Sequence, residues 1–134
     1  MKLKITKIET GKAFRNELCA IVKSYGDDQT LYVGINIEEW DDVTCPELFI
    51  HCSLSKGINC TEFENKIKEI LSRHEICGNE SVDNLQISDR FFDENIFDLD
   101  FIEQTLAGKT DYAVEKLDDD LWRIEERYYL IKCN

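Results

Sequence analysis

Apolar residues near the start of the chain recur at spacings that predict a strand followed by a helix. Residues 3–9 alternate apolar and charged side chains, which is typical of a strand. Thr10 is a residue type that caps helices, and Gly26 is suited to end one. Between them the apolar positions follow the helical period, at Phe14, Leu18, Ile21, Val22 and Tyr25.

Two segments rich in β-forming residues come next and predict a hairpin. Residues 30–37 carry apolar side chains at alternate positions, and residues 47–53 form a second apolar run. The acidic segment 38–45 lies between them and is long enough to connect two antiparallel strands. We therefore expect the acidic residues to form the connecting loop.

The clearest predicted helix begins near Thr61. Thr61 and Glu64 have the spacing of a capping box, in which each side chain satisfies a free backbone donor at the helix start. Gly78 suits the C-terminal cap. The apolar stripe between them comprises Phe63, Ile67, Ile70, Leu71 and His74.

Two shorter elements follow this helix. Residues 85–87 predict a short strand, and residues 98–107 predict a helix that ends at Gly108. The residues of the second helix that we expect to face inward are Leu99, Ile102 and Leu106.

The C-terminal segment, residues 111–133, fits two patterns. The spacing of Leu117, Leu121, Ile124, Tyr128 and Ile131 favours a helix. The aromatic and β-branched content of the same segment favours strands, with a hairpin turn at Asp118, Asp119 and Asp120. We expect the hairpin.

Strands and helices are therefore mixed without a regular βαβ alternation, which indicates the α+β class. A chain of 134 residues is the size of one domain. We expect residues 1–134 to form a single domain, in which a mixed or antiparallel sheet packs against about three helices.

The charge of the chain excludes several classes of function. It carries 28 acidic and 16 basic side chains, for a formal net charge of −12. Six bases and two acids give residues 1–25 a net charge of +4, and the rest of the chain has a net charge of −16. Nucleic-acid phosphates and anionic membrane surfaces both require a basic footprint. We therefore expect neither a nucleic acid nor a membrane as partner.

The N-terminal residues lack the apolar run of a secretory signal, and no segment has the length of apolar residues that spans a bilayer. These features predict a cytoplasmic protein, in which cysteines are kept reduced. The six cysteines are therefore expected to be thiols; they are Cys19, Cys45, Cys52, Cys60, Cys77 and Cys133.

No motif for catalysis, metal binding or a cofactor is present. His74 and Cys77 form a His-x-x-Cys pair, but no Cys-x-x-Cys is present and the cysteine intervals match no zinc-ribbon or finger pattern. His51 and Cys52 are adjacent on a predicted strand, so their side chains point to opposite faces and cannot form a dyad. We assign no catalytic residue, metal ligand or cofactor. A small enzyme or ligand-binding domain with an unrecognised site, and a Cys/His metal-binding domain, remain as alternatives.

Two tryptophans are embedded in acidic residues. Binding hot spots often consist of an aromatic anchor surrounded by residues that exclude water, and carboxylates can pair bidentately with a partner's arginines. The predicted partner-binding residues are Glu38, Glu39, Trp40, Asp41, Asp42, Asp118, Asp119, Asp120 and Trp122.

These features favour a small acidic protein that binds a basic protein. The best hypothesis is an immunity protein, a stoichiometric inhibitor that neutralises a basic toxin such as a nuclease effector. A nuclease must keep a positive cleft for phosphates, so an acidic inhibitor is its electrostatic complement. Charge complementarity also speeds association, which suits interception of a toxin.

Overall fold

The structure is a computed structural model that describes residues 6–24, 31–40, 47–54, 64–74, 85–88, 90–91, 95–96, 98–126 and 128–133. The helices in these ranges are α1 (Thr6–Thr10), α2 (Lys12–Ser24), α3 (Glu64–Arg73) and α4 (Leu99–Leu106). The strands are β1 (Leu31–Trp40), β2 (Glu47–Leu54), β3 (Leu85–Ser88), β4 (Arg90–Phe91), β5 (Asn95–Ile96), β6 (Val114–Asp118), β7 (Leu121–Ile124) and β8 (Tyr128–Cys133).

Six of the described strands form one mixed sheet in the order β3-β2-β1-β8-β7-β6. Neighbouring strands are antiparallel except β2 and β3, which are parallel. Strands β4 and β5 pair separately. The C-terminal strand β8 lies at the centre, between β1 and β7, so the last described strand pairs with the first. This mixed architecture confirms the predicted α+β class.

Each face of the sheet carries its own apolar cluster. The first, here called the α2/α3 cluster, comprises Ile8, Phe14, Leu18, Val22, Leu31, Val33, Ile35, Ile67, Ile70, Leu71, Leu121, Tyr129, Ile131 and Cys133. The second, the α4 cluster, comprises Tyr32, Ile102, Ile124, Tyr128 and Leu130. Alternate residues of β1 enter different clusters, because successive side chains of a strand point to opposite faces.

Gly34 of β1 is required by the packing of the α4 face. A Cβ atom at this position would lie 2.6 Å from Cε1 of Tyr128, well inside van der Waals contact. Tyr128 lies on the neighbouring strand β8 and is 1% exposed. Only a residue without a side chain leaves room for this ring against the sheet.

Most of the predicted elements are confirmed. Helices α2 and α3 bury most of their predicted apolar stripes, with Ile21 and His74 only partly buried. Strands β1 and β2 pair as an antiparallel hairpin, and β3 includes residues 85–87. The C-terminal segment forms strands, with Asp119 and Asp120 in the turn between β6 and β7. Gly108 has φ 76° and follows α4, as expected for a helix-ending glycine. Tyr25, Phe63, Gly78 and the capping residue Thr61 lie outside the described residues.

The predicted strand at residues 3–9 is wrong in its described part, which is helix α1. Ile8 is fully buried in the α2/α3 cluster, and the backbone carbonyls of Ile8 and Glu9 accept hydrogen bonds from the Arg15 guanidinium at 2.7 and 3.1 Å. These tertiary contacts override the alternating pattern of the segment. Residues 3–5 of the predicted strand lie outside the described residues.

Two further predictions require correction. Leu99, expected to face inward, is exposed in the first turn of α4, whereas Ile102 and Thr105 are buried. The hydroxyl of Thr105 donates to the Phe101 carbonyl at 2.9 Å, so its burial leaves no free donor. Residues 38–40, expected in a loop, continue strand β1 as partners of β2. The rest of that predicted loop lies outside the described residues.

The expectation that all cysteines are thiols is also wrong, because Cys19 and Cys133 form a disulfide. The fold brings Cys19 on α2 and Cys133 on β8 together, with their Cα atoms 5.2 Å apart. A spacing of this size permits the bond, and nothing in the sequence indicates the proximity of two residues 114 positions apart.

Candidate partner-binding surfaces

The acidic turn between β6 and β7 is tied to helix α2 by a buried arginine. Arg15 is 1% exposed, and its Nη2 lies 2.8 Å from Oδ2 of Asp118 and 3.4 Å from Oδ1 of Asp120. Its Nη1 donates to the carbonyls at the end of α1, as described above. One guanidinium thus connects α1, α2 and the turn, and two of the three predicted acidic residues are paired with it within the protein.

The local backbone also holds Asp118 as a carboxylate. The N–H of Asp119 donates to Oδ1 of Asp118 at 2.8 Å. This hydrogen bond first, and then the positive charges of Arg15 and Lys12, lower the pKa of the Asp118 carboxyl below its ordinary value. Asp119 itself is exposed. The turn therefore uses its acidic residues mainly to attach the hairpin to α2.

Trp122 does not join these acidic residues. Leu121 points to the α2/α3 cluster, and Trp122, the next residue of the strand, packs against the α4 cluster. Its ring centroid lies 6.5 Å from that of Tyr32, and Nζ of Lys116 lies 5.9 Å from the Trp122 ring. The half-buried indole and the Asp118 and Asp120 carboxylates thus lie on opposite faces of the sheet.

The residues around Trp40 lie at the other end of the sheet from this turn. In the β1–β2 register, Glu38 is opposite Phe49, Glu39 opposite Leu48 and Trp40 opposite Glu47. Asp120 lies beside Tyr32 of β1 in position along the sheet. The N–H of Lys132 donates to the Asp120 carbonyl, and Lys132 in turn pairs with Tyr32. Trp40 follows Tyr32 by eight positions along the strand, a distance of about 26 Å. The two predicted groups therefore do not form one patch. Asp41 and Asp42 lie outside the described residues.

Sequence reasoning missed a second acidic turn, at Glu125 and Glu126. Both residues are exposed, and both have positive φ, 53° and 64°. They are the non-glycine residues with positive φ within the described ranges. This conformation costs an ordinary residue about 1–2 kcal/mol, because the Cβ crowds the carbonyl oxygen that follows it. The N–H of Glu125 donates to the Ala113 carbonyl at 3.0 Å, which ties the turn to the start of β6.

This turn lies at the same end of the sheet as residues 38–40. Tyr128 is paired with Ile124 of β7 on one side and with Asn36 of β1 on the other, so the β7–β8 turn is level with the upper part of β1. We call Glu38, Glu39, Trp40, Glu125 and Glu126 the acidic end of the sheet. The sequence could have predicted this turn, because a charged segment, residues 125–127, separates the β-forming run that ends at Ile124 from the one that begins at Tyr128.

A polar depression adjoins this turn. Its volume is 460 Å³, and it is lined by Lys109, Thr110, Asp111, Tyr112 and Glu125. It contributes one further carboxylate and one lysine beside the turn. The lining is too polar and too open to resemble the enclosed apolar pockets in which most small ligands bind.

Other acidic residues of the described sheet are engaged internally. Arg123 donates to Oε1 of Glu9 at 3.0 Å and to Oε2 of Glu115 at 2.6 Å, and the Tyr129 hydroxyl donates to Glu9 at 3.0 Å. Burial first, and then the hydrogen bond to Glu9, raise the pKa of the Tyr129 phenol to about 12. This network fastens α1 to the sheet.

The described residues contain no group of three or more His, Cys, Asp or Glu side chains placed to hold a metal ion. His74, considered above for its spacing from Cys77, lies with its Nε2 3.3 Å from Glu17 and its ring 5.9 Å from that of Phe14. It thus covers one end of the α2–α3 contact. Cys77 and Cys60 fall outside the described ranges.

Within the part of the chain that the structure describes, the helices are too short and too polar to cross a membrane. No protein-family model, curated protein or solved structure matches the chain.

Proposed function

We propose that this protein is a small acidic protein-binding domain, and that it acts in the cytoplasm as a stoichiometric inhibitor, or immunity protein, of a basic toxin such as a nuclease. The proposed binding surface is the acidic end of the sheet, together with Asp41 and Asp42, which follow Trp40 directly. The observation that carries the proposal is the placement of two exposed glutamates, in an unfavourable backbone conformation, at the end of the sheet that Glu38 and Glu39 also reach.

The chemistry of the surface suits a basic protein. Carboxylates accept paired hydrogen bonds from arginine, and they do so most strongly when no internal cation already occupies them. Backbone strain of the kind found at Glu125 and Glu126 is often retained at functional sites, where it holds groups in position before binding. The net charge of −12 adds a long-range field that would accelerate encounter with a cationic partner.

The second predicted group takes a smaller part in this proposal. Asp118 and Asp120 support the fold through Arg15, and Trp122 packs in the α4 cluster. Their contribution to a partner is therefore indirect. Asp119 is exposed, at the end of the sheet opposite Trp40.

The test is binding to a basic protein encoded beside this gene, compared between two charge-reversal variants. Glu126→Lys and the matched control Glu103→Lys change the net charge equally, and both residues are exposed, in the β7–β8 turn and on α4. We expect Glu126→Lys to weaken the complex at least about tenfold, and Glu103→Lys to weaken it by no more than about twofold.

Calorimetric titration at two salt concentrations would measure both effects. The proposal also requires the wild-type affinity to fall as salt rises, because exposed charges are screened. Equal weakening by the two variants would show that only the overall charge matters and would contradict the proposed surface. Absence of binding to any basic partner would contradict the function itself.

A further inference from the structure

Helices α1 and α2 cover one face of the described sheet without contributing a strand to it. All six strands of that sheet come from residues 31–133, and the two helices precede them in the chain. We call residues 6–24 the N-terminal strap. The apolar side chains that the strap buries in the α2/α3 cluster are Ile8, Phe14, Leu18 and Val22. Because the strap lies outside the strand order, it can separate from the sheet without breaking a described strand pair.

Two neighbouring links join the strap to the C-terminal strands, one ionic and one covalent. Arg15 contacts Asp118 and Asp120 in the β6–β7 turn. Cys19 forms the disulfide with Cys133 of β8. Arg15 and Cys19 are four positions apart, so they lie on the same side of α2. The two links also end close together on the sheet, because the residue before Cys133 donates its N–H to the Asp120 carbonyl at 2.8 Å.

Apart from the disulfide, the strap is held by contacts that can open and re-form. Water reaches the ionic link, because the side chains of Asp118 and Asp120 are 43% and 22% exposed. Glu17 of α2 pairs with Arg73 of α3 at 2.8 Å, but both side chains are largely exposed, and such pairs contribute little to stability. The disulfide joins residues 114 positions apart and keeps α2 beside β8 when these weaker contacts open.

We propose that the Cys19–Cys133 disulfide is a redox-sensitive lock on the strap. In the oxidised protein, α2 separates from the sheet only when the whole molecule unfolds; in the reduced protein, α2 also opens by itself. Opening uncovers part of the α2/α3 cluster, to which the sheet contributes Val33, Ile35 and Ile131 among others. The proposal does not depend on the partner-binding function, because the acidic end of the sheet contains no residue of the strap or of its two links.

The reductant is a dithiol, and the lock opens by two exchange steps. One thiol of the reductant loses its proton to solvent, and its thiolate attacks one sulfur of the disulfide; a mixed disulfide forms, and the other cysteine leaves as a thiolate. The second thiol of the reductant, also deprotonated, then attacks the mixed disulfide, closes the reductant's own disulfide and releases the first cysteine. Both cysteine thiolates take up protons. The dithiol is thus oxidised, and the protein disulfide is reduced to two thiols.

Reduction leaves most of the strap's attachment intact. The ionic contacts of Arg15 and the burial of Phe14, Leu18 and Val22 do not depend on the sulfur atoms. The reduced protein therefore stays folded with the strap docked most of the time. The change is in how often α2 opens, which makes the exchange of its backbone amides with solvent the direct observable.

Native-state hydrogen exchange measured by NMR tests the lock on the whole protein, before and after treatment with dithiothreitol. The amides of Leu18 and Val22 report on α2, and those of Val33 and Ile35 report on the central strand β1. The protection of α2 is expressed relative to that of β1, which removes the effect of reduction on global stability. We expect this relative protection to fall at least about tenfold on reduction, because only α2 gains a separate route of opening.

Two variants serve as controls. Cys19→Ala cannot form the disulfide, so its α2 protection should match that of the reduced wild type and should not respond to dithiothreitol. Cys77→Ser keeps both cysteines of the lock and should respond as the wild type does.

An equal loss of protection in α2 and β1 on reduction would overturn the proposal, because it would show a global effect alone. Unchanged protection in both elements, or complete unfolding of the reduced protein, would overturn it as well. So would alkylation of both Cys19 and Cys133 by N-ethylmaleimide in protein that is kept under air and then denatured without a reductant. The comparison of the two forms of the wild type requires no variant, so the test holds even if Cys19→Ala does not fold.

Discussion

Two acidic turns of neighbouring hairpins use their carboxylates in different ways. The β6–β7 turn places Asp118 and Asp120 against the buried guanidinium of Arg15. The β7–β8 turn, only a few residues further on, places Glu125 and Glu126 on the surface, with both residues at positive φ. Both turns carry consecutive acidic residues between β-forming runs, and the second segment also contains Arg127.

The difference shows that an acidic turn supports the fold when a cation from another element reaches it. In the first turn, the carboxylates of Asp118 and Asp120 contact Arg15, and their charge stabilises the contact of α2 with the sheet. In the second, the conformation is costly and the charge is exposed. The second turn is therefore the better candidate for binding a partner. The sequence favoured the first turn, because Trp122 lies beside it.

The largest expected effect on the free energy of unfolding comes from removing Arg15. Arg15→Met keeps most of the side-chain length but removes the guanidinium that donates to two carboxylates and two backbone carbonyls. We expect a loss of about 3 kcal/mol in the free energy of unfolding, at the low end for a broken buried ion pair because Asp118 and Asp120 are partly exposed to water. Urea denaturation measures it.

Two controls define the cause of that loss. Lys12→Met removes an exposed charge from the same helix and should change stability by no more than about 0.5 kcal/mol. Arg15→Lys should give an intermediate loss, because a lysine keeps the charge but not the five donors of a guanidinium. If Arg15→Met were as stable as the wild type, the β6–β7 turn would not be a structural contact.

A smaller effect, of opposite sign, is expected at the second turn. Glu126→Gly removes the steric cost of φ 64°, since glycine adopts this conformation freely. We expect the free energy of unfolding to rise by about 1 kcal/mol, while binding to a basic partner weakens. Thermal unfolding and titration of the same sample would measure both changes.

The matched control is Ala107→Gly. Ala107 is also exposed and lies at the end of α4, but its φ is −82°, so glycine relieves no strain there and should slightly destabilise the protein. A stabilising effect of the same size at both positions would indicate that strain in the turn is not its source.

The smallest expected effect is a dependence on pH at the first turn. The folded protein has a lowered Asp118 pKa, so it favours the carboxylate, and the resulting stability is complete above the ordinary value of 3.8 and is lost as the pH falls below it. The difference in stability between the wild type and Asp118→Asn should therefore shrink as the solution is acidified.

Repeating this measurement in the Arg15→Met protein would separate the two causes. Part of the pH dependence should persist there, because the hydrogen bond from the Asp119 N–H remains. A difference that stays constant through acid pH would contradict the assignment of Asp118 as a stabilising carboxylate.

Local pattern was sufficient to predict most elements of this fold. The helical spacing of Phe14, Leu18 and Val22 and the alternation of Leu31, Val33 and Ile35 both specify a buried side, and the structure buries those side chains. The C-terminal hairpin followed from its aromatic and β-branched content even though its spacing also fitted a helix. The mixed class followed from these elements together.

The failures occur where contacts between distant segments outweigh local preference. Residues 6–9 alternate like a strand but form a helix, where Ile8 enters the core and Arg15 and Arg123 hold the neighbouring carbonyls and Glu9. The candidate site was likewise only partly predicted from the sequence. The predicted groups around Trp40 and Trp122 are separated along the sheet, and the exposed pair at Glu125 and Glu126 was not singled out.

The amino-acid sequence alone thus established the mixed α+β class, the main elements and the strongly negative charge, because periodicity and composition are properties of neighbouring residues. Tertiary structure determined which acidic residues are paired with a cation, which lie at the same end of the sheet, and which two of six cysteines are joined. Each of these depends on residues about a hundred positions apart, such as Arg15 with Asp118 or Cys19 with Cys133, and such proximity arises only when the chain folds.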